Sequence, residues 1–464
     1  MKNMVIGLSL FFLLVTSVAR GQQKYELSVK EAVDLAYKNV IELKNAQIDY
    51  KIQEAKNREL LGSAYPQLSG TVGANYYLKL PGILFPDATA TAVYSILKEE
   101  GVQGSNGPIT NIPDPVLRQV SFVQPWNLQA GATLTQLLFQ PDVFVGLQAR
   151  ETALNFSAAQ IEQIKEKIKD SAYKRYYAIL IVQKQLDFLN QGIDRLQKLR
   201  RDDSIMYVNG FRERLDLDKT QVQINNLTTT RNQVAAGLDM SYAGLKFALG
   251  VSQKDTVILR DDLSSANIRV NLLDNGFKYE DRAEVKSLGY VKKLHALDVK
   301  RNRLGKLPTV AFAANYTLNG QGQKFFTNNY TAWINSSFVG LNVNIPIFDG
   351  FQRRYKVQQS QLRLEQIDNN ISNLKQVIDL QQTIAKQSLL TALNNLDIQE
   401  KNMLLAEKVF NTTKLKYEQG VSTFSYEVIL AQSDLITAQS NYYNALYNAV
   451  VAKIDYQYSL GKLQ

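Results

Sequence analysis

Four stretches of this chain alternate between apolar and small polar residues. They cover residues 67–78, 126–134, 309–318 and 339–345. A period of two predicts β-strands with one apolar face, and strands of about ten residues with this pattern are typical of membrane barrels with a wet interior. Trp126 and Trp333 lie at corresponding ends of two of the strands, as interfacial aromatic residues do. A half-buried sheet in a soluble protein alternates in the same way, so the pattern leaves that alternative open.

Two other segments have the spacing of very long helices. No proline interrupts residues 142–208 or 351–419, and at about 1.5 Å per residue each segment would form a rod of roughly 100 Å. Apolar residues recur at intervals of three and four, as they do in coiled coils. Examples are Leu186, Leu189, Ile193, Leu196 and Leu199 in the first rod, and Ile367, Ile371, Leu374 and Ile378 in the second. Each rod would turn at Gly210 or Gly420 and return as a second helix.

The two halves of the chain match each other. At offsets of 209 to 211 residues, Leu138-Phe139 matches Ile347-Phe348, Tyr207 to Gly210 matches Tyr417 to Gly420, and Leu249-Gly250 matches Leu460-Gly461. Residues 74–78 match 314–318 at an offset of 240, so the first half has about 30 extra residues between its two strands. The nearly constant offset of the first three pairs favours an internal duplication.

Each half predicts a helix, two strands and a long helical hairpin. The first helix begins at Ser28, which has the spacing of a capping box with Glu31, and runs to about Ser63. The extra residues form a long loop at 79–125, which contains six of the ten prolines. We therefore divide the mature chain into a first repeat at 22–250, a linker at 251–276 and a second repeat at 277–464.

Residues 1–21 have the pattern of a secretory signal peptide. Lys2 precedes an apolar run from Met4 to Val15, and small residues lead to an expected cleavage after Gly21. The chain has no cysteine, so the exported protein would have neither disulfides nor a cysteine-linked lipid anchor. After the signal, no apolar stretch reaches the roughly 20 residues of a spanning helix. Any membrane crossing would therefore consist of strands.

Four strands are too few to close a barrel, because bacterial barrels begin at about eight strands. An open sheet in lipid would leave backbone groups unpaired along its edges. The sequence therefore predicts an α+β membrane protein whose copies assemble, and three copies would supply twelve strands. The pattern requires assembly without fixing the number of copies.

Composition argues against several other classes of protein. The formal net charge is +10, but Lys and Arg are interleaved with Asp and Glu and form no basic stripe, so we expect no nucleic-acid partner. The sequence has no nucleotide, hydrolase or metal motif, and its single histidine, His295, lies in a predicted helix. We expect no enzymatic activity, no cofactor and no metal. An exported coiled-coil structural or adhesive protein is the alternative, although it leaves the four strands unexplained.

Several motifs resemble those of TolC-type outer-membrane efflux proteins. In chain order they are Leu27-Ser28-x-x-Glu31-Ala32, Arg282-Ala283-Glu284-Val285, Pro346-x-Phe348-Asp349-Gly350 before Arg353-Arg354, and Tyr417-x-x-Gly420 before residues 428–432. Each motif is moderately specific, but together they follow the order of that family and cover residues 25–463.

The resemblance implies a homotrimer in which a twelve-stranded outer-membrane β-barrel is continuous with a long periplasmic α-helical barrel. It implies a passive exit duct of a tripartite efflux or type I secretion system, located in the outer membrane and extending into the periplasm. Energy would come from an inner-membrane pump of the RND, ABC or MFS type, joined through a periplasmic adaptor protein. Residues 79–125 would form an extracellular loop.

The resemblance also assigns roles to residues at the two helix turns. The adaptor would dock at tips that comprise Gly210, Arg212, Gly420 and Ser422. The periplasmic gate would comprise Asp216, Tyr417, Tyr426 and Glu427. In that family a tyrosine before the second tip glycine bonds an aspartate six residues after the first, which corresponds to a link between Tyr417 and Asp216. The family's gate arginine is Ser422 here, and its lumen aspartates fall at Tyr426 and Ile429, so the gate departs from the family pattern.

Overall fold

The computed structural model describes residues 23–262, 276–324, 330–421 and 425–463. The expected signal peptide at 1–21 lies outside the described residues, as does the part of the expected linker at 263–275. The chain forms two compact units. We name them the helical unit, which comprises the described residues within 23–55, 149–296 and 360–463, and the sheet unit, which comprises those within 56–148 and 297–359.

The described α-helices are α1 (Val29–Asn39), α2 (Ile41–Gly62), α3 (Thr89–Glu99), α4 (Pro141–Val208), α5 (Arg214–Leu249), α6 (Ala283–Leu304), α7 (Gln352–Glu418) and α8 (Ser425–Ser459). The described strands are β1 (Lys24–Leu27), β2 (Gln67–Tyr76), β3 (Ile83–Asp87), β4 (Gln103–Gly104), β5 (Gly107–Pro108), β6 (Val116–Val120), β7 (Trp126–Phe139), β8 (Thr256–Leu259), β9 (Thr309–Gly322) and β10 (Tyr330–Asn344). None of the helices in the described part of the chain is long and apolar enough to cross a membrane.

The four alternating stretches form one antiparallel sheet in the sheet unit. Its order is β10-β9-β7-β2, so each half of the chain contributes one pair and the pairing of β7 with β9 joins the halves. The alternation located all four strands but made three of them too short, because β7 and β9 have 14 residues and β10 has 15. The ladder with β9 carries β10 through the polar run Asn335-Ser336-Ser337, where the alternation is lost.

The outer strands of this sheet each have a free edge. Among the described strands, none pairs with the outer side of β2 or of β10. The apolar residues of β2 are also uncovered, since Leu68, Val72 and Tyr76 are 74%, 90% and 53% exposed. Unpaired backbone groups beside an exposed apolar face indicate a surface that contacts another molecule or a membrane.

Both tryptophans lie at the same end of the sheet, as the alternation predicts. Trp126 is opposite Tyr76 in the ladder, and the centroids of the two rings are 4.9 Å apart. Trp333 is opposite Gly320, and a Cβ on that glycine would lie 3.1 Å from the indole ring. The glycine therefore leaves the space in which the indole lies against the neighbouring strand.

The predicted loop at 79–125 contains regular structure, which the sequence did not specify. β3 and β6 pair as an antiparallel hairpin, β4 and β5 form a shorter one, and α3 lies between β3 and β4 along the chain. Pro86 is tolerated in β3 because, among the described strands, only β6 pairs with it.

The predicted first helix is two helices. The capping box is present: Ser28 Oγ accepts from the Glu31 amide, and the Glu31 carboxylate accepts from the Ser28 amide at 2.8 Å. The chain leaves the helical conformation at Val40, with φ −63° and ψ 124°, and α2 begins at the next residue. The sequence also gave no indication that β1 pairs in parallel with β8, which lies within the expected linker.

One apolar cluster of the helical unit lies where α1 meets the long helices α4 and α5. Ala32 and Ala36 of α1 are fully buried in one cluster with Ile179 of α4 and Leu245 of α5. Tyr176 is also fully buried there, and its hydroxyl donates to the Leu27 carbonyl at 2.8 Å. Burial of each large aliphatic side chain contributes roughly 1.5–3 kcal/mol. The residues that show the three-and-four spacing in α4 contribute to a separate cluster, in which Leu189, Leu196 and Leu199 are buried.

Equivalent glycines follow the last helix of each half. Gly250 after α5 and Gly461 after α8 have φ of +65° and +67°, and the next amide bonds back across the helix end at 3.0 Å in both. These glycines also permit close contact, since a Cβ on Gly250 would lie 2.8 Å from the carbonyl carbon of Asn39. A Cβ on Gly461 would lie 3.1 Å from the backbone of Asp281.

We predict that Gly250→Ala destabilises the protein more than Gly210→Ala does. Both glycines have a left-handed φ, which costs a residue with a Cβ roughly 1–2 kcal/mol. Only Gly250 also faces a backbone clash, because the surroundings of Gly210 are open. Thermal unfolding followed by circular dichroism in detergent checks this order. Gly237→Ala, in an open position within α5, is the matched control and should stabilise the helix by roughly 0.5–1 kcal/mol. Equal losses at Gly250 and Gly210 would contradict the contact with Asn39.

Candidate functional site

The two long helical hairpins turn in the same way. Gly210 lies between α4 and α5 with φ +81°, and Gly420 follows α7 with φ +74°. In both turns the residue after the glycine donates its amide back to a carbonyl five residues earlier: Phe211 to Met206 at 2.9 Å and Val421 to Lys416 at 3.0 Å. This is a Schellman ending, which requires a left-handed residue and therefore favours glycine. The predicted turns at Gly210 and Gly420 are confirmed.

A buried polar pair lies beside these turns. The Tyr417 hydroxyl near the end of α7 donates a hydrogen bond to Asp203 Oδ1 on α4. The Asp203 side chain is fully buried, and Tyr417 is 7% exposed. Leu196, Leu199 and Val428 belong to the apolar cluster that also contains Tyr417. The hydrogen bond thus joins the first and second halves of the chain inside a nonpolar environment.

Arg212, in the first turn, lies against the same pair. Its guanidinium carbon is 5.0 Å from the centroid of the Tyr417 ring, its Nε is 3.8 Å from Asp203 Oδ1, and its side chain is only 9% exposed. Asp216 is on the other side of the arginine, 4.0 Å from Arg212 Nη1. The positive charge therefore stabilises two carboxylates and the face of one aromatic ring.

Burial determines the protonation behaviour of the pair. It raises the pKa of Asp203, although the hydrogen bond from Tyr417, the charge of Arg212 and the Ser425 hydroxyl oppose that change. Burial also raises the pKa of Tyr417, and the neighbouring Asp203 raises it further. Asp203 Oδ2 has no hydrogen-bond partner among the described residues, so only one of its two oxygens is directly satisfied by the phenol.

The predicted link between Tyr417 and Asp216 is not formed, because Tyr417 donates to Asp203 instead. Asp203 was missed because it lies in the charged run from Arg200 to Asp203, which is typical of a solvated helix face. A signal was present: Leu189, Leu196 and Asp203 are spaced by seven residues, so the carboxylate continues the buried stripe of α4.

The other predicted gate residues lie nearby but outside the buried pair. Tyr426 is 52% exposed, and its ring is 5.7 Å from Lys219 Nζ. Glu427 is exposed at the start of α8. Ser422 lies outside the described residues. The gate and docking roles of all these residues stay predictions.

A second polar contact joins the same helices further from the turns. Arg195 Nε on α4 donates to Gln432 Oε1 on α8 at 2.7 Å, and the guanidinium lies 5.3 Å from the centroid of the Phe410 ring. Gln432 is 1% exposed, and burial lowers the pKa of Arg195. The motif at residues 428–432 therefore includes a buried amide that positions α8 against α4, which its sequence did not reveal.

Comparison with known proteins supports the family that the motifs indicate. Residues 296–462 match the family model described as outer membrane efflux protein. A search of curated protein sequences finds no match. The matched region contains β9, β10, α7 and α8, and so it includes Tyr417 and Gly420.

Solved structures extend the comparison to nearly the whole chain. A structure of CusC, described in terms of transmembrane channel formation, aligns with a TM-score of 0.72 and 13% identity over 96% of this chain and 95% of that chain. The CmeC outer membrane channel of Campylobacter jejuni aligns with a TM-score of 0.70 and 14% identity, over 94% and 86%. The open state of the MtrE outer membrane channel of Neisseria gonorrhoeae aligns with 0.68 and 13%, over 97% and 94%.

The chain therefore has the fold of outer-membrane efflux channels. The resemblance to TolC-type proteins is confirmed, by the family model for residues 296–462 and by fold for the rest of the chain. At these identities the structural likeness establishes the fold alone.

We predict that Tyr417→Phe lowers the free energy of unfolding by roughly 1–3 kcal/mol, because it leaves the buried Asp203 carboxylate without its donor. Tyr207→Phe is the control at the equivalent position of the first half, where the side chain is 42% exposed, and should change stability by less than about 0.5 kcal/mol. Thermal and chemical unfolding of both variants measures the difference. Equal effects would show that the buried bond does not stabilise the fold.

We also predict a pH dependence that belongs to Asp203. Because burial raises its folded pKa above the unfolded value of about 3.9, its contribution to stability is complete below the unfolded pKa. The contribution is lost as the pH rises through the folded pKa. The melting temperature of the wild type, relative to Asp203→Asn, should therefore fall as the pH rises from about 4. Asp218→Asn, whose side chain is 68% exposed, is the control. A constant or rising difference for Asp203→Asn would contradict the assignment.

Proposed function

We propose that this protein is the outer-membrane exit duct of a tripartite efflux or type I secretion system. The observation that carries the proposal is a four-stranded sheet with two free edges and an exposed apolar face, in a chain with the fold of outer-membrane channels. Such a sheet is incomplete in lipid as a single copy, because its edge amides and carbonyls have no water to bond. We place the sheet in the outer membrane and the helical hairpins in the periplasm.

The order of strands supports closure by further copies of the same chain. All neighbours in β10-β9-β7-β2 are antiparallel, so β2 and β10 run in opposite directions. In a ring of identical copies, β10 of one copy would therefore meet β2 of the next as another antiparallel pair. Three copies would give twelve strands, which is within the range of bacterial barrels. We therefore propose a homotrimer.

The buried pair beside the helix turns is suited to hold a closed periplasmic gate. Tyr417 and Arg212 attach the end of α7 to the turn that begins α5, through the carboxylate of Asp203. The phenol donates one hydrogen bond and the guanidinium interacts at longer range, so few contacts need to break when the helices separate. Opening would break only these non-covalent contacts and would need no reaction catalysed by the duct. We therefore propose a passive channel rather than an enzyme.

The turns themselves are the proposed docking points for a periplasmic adaptor protein, which would join the duct to an inner-membrane pump of the RND, ABC or MFS type. The glycines Gly210 and Gly420 support this role because their surroundings are open in both turns. A partner backbone could approach them closely. Arg212 is less suited to docking than its sequence position implies, because its side chain packs against Tyr417.

Single-channel recording in planar lipid bilayers tests the proposed duct. The purified wild type should conduct weakly because its gate is closed, and Tyr417→Phe should conduct more often or more strongly because the bond to Asp203 is absent. Tyr207→Phe should behave as the wild type. Absence of conductance in all three proteins would overturn the duct, whereas equal conductance would overturn the role of the buried pair in gating.

A further inference from the structure

The inserted segment at 79–125, which we name the arm, has no core of its own. The structure describes every residue of the arm, and none of them is buried. Both faces of its longer hairpin are apolar and open: Ile83 and Leu84 point to opposite faces of β3 and are 64% and 63% exposed. A segment of this size cannot stabilise a fold without a shared core. The arm therefore depends on cover from outside itself.

The helix of the arm carries its apolar face outward. Thr91, Ser95 and Leu97 are the partly buried residues of this stretch of α3, and the Thr91 hydroxyl donates to the Pro113 carbonyl. Val93 and Ile96, on the other side of α3, are 48% and 60% exposed. An amphipathic helix on a finished protein surface has the opposite orientation. The outward apolar face of α3 therefore indicates a contact with another molecule, which a single copy does not make.

The position of the arm indicates which molecule makes that contact. The ladder of β2 and β7 continues into the arm, because the Tyr77 amide donates to the Pro125 carbonyl at 2.8 Å and β3 then pairs with β6. β3 thus extends the side of the hairpin that begins with β2, whose outer edge has no partner in the sheet. In the proposed ring that edge meets the next copy, so the arm of each copy lies beside another copy.

The charge of the arm favours a second copy over an anionic lipid surface. Its 47 residues contain three Lys or Arg and four Asp or Glu, and Arg118 pairs with Asp87 at 3.1 Å. α3 has one basic residue, Lys98, followed directly by two glutamates. Helices that lie on membranes have Lys and Arg along their polar face, which α3 lacks. Because the arm is apolar and nearly neutral, two arms can contact each other without charge repulsion.

We propose that the arms of neighbouring copies pack against one another through the apolar face of α3 and form a cap over the outer mouth of the duct. The proposal rests on the assembly proposed above, since the cap needs several copies around one opening. The cap adds a second barrier to the one proposed at the helix turns. It would restrict the entry of large solutes from outside while the gate controls exit from the periplasm.

Cysteine cross-linking tests the cap directly, because the chain has no native cysteine. Ile96→Cys places a thiol on the outward apolar face of α3, and Lys98→Cys places one on the opposite side of the same helix. On mild oxidation of the assembled protein, Ile96→Cys should form disulfide-linked dimers on a non-reducing gel. Lys98→Cys should stay monomeric on the same gel.

A functional measurement accompanies the cross-linking. Ile96→Asp should separate the arms and raise single-channel conductance or the uptake of large solutes several-fold, whereas Lys98→Asp should not. Cross-linking no stronger for Ile96→Cys than for Lys98→Cys, in protein that still assembles and conducts, would overturn the cap and leave the duct intact. A photoreactive lipid that labels Ile96→Cys, in protein in which no dimer forms through this cysteine, would also overturn the cap. A wild type that neither assembles nor conducts would overturn the proposed duct together with the cap.

Discussion

Hydrogen bonding along the free edges of β2 and β10 is the constraint on which the rest of this structure depends. In water these edges could bond to solvent, but the exposed apolar residues of β2 are suited to lipid, where an unpaired backbone group costs several kcal/mol. Two free edges on an antiparallel sheet with an even number of strands can satisfy each other between copies. The proposed assembly, the lipid-facing surface and the duct inside it all follow from this pairing.

Asp203 is a second polar group that needs partners in a nonpolar environment. A carboxylate at a buried position of a long helix destabilises the protein unless donors and positive charge surround it, and here Tyr417 and Arg212 supply them. Tyr417 comes from α7 and Arg212 from the turn between α4 and α5, so the position of α7 relative to that turn depends on one polar contact. Leaving Asp203 without these partners would cost free energy, yet only a few bonds hold it. Such a contact is suited to a gate that alternates between a closed and an open state.

Much of the fold could be predicted from the sequence, because strand alternation, coiled-coil spacing and turn glycines are local signals. They located the four strands of the sheet, the two long helices and the turns at Gly210 and Gly420. The partner of Tyr417 could not be predicted in this way, since it depends on which helices meet, and Asp203 looks like one member of a charged run. The short elements within the loop at 79–125 could not be predicted, because proline and glycine interrupt its pattern, and the outward apolar face of α3 is visible only in three dimensions.

Native mass spectrometry of the detergent-solubilised protein tests the central claim most directly, because the sheet is proposed to be complete only when several copies meet. The account predicts a stable complex of three copies of the chain, which gives twelve strands and leaves no free edge. A protein that stays monomeric after extraction from the membrane, with its sheet intact by spectroscopy, would contradict it.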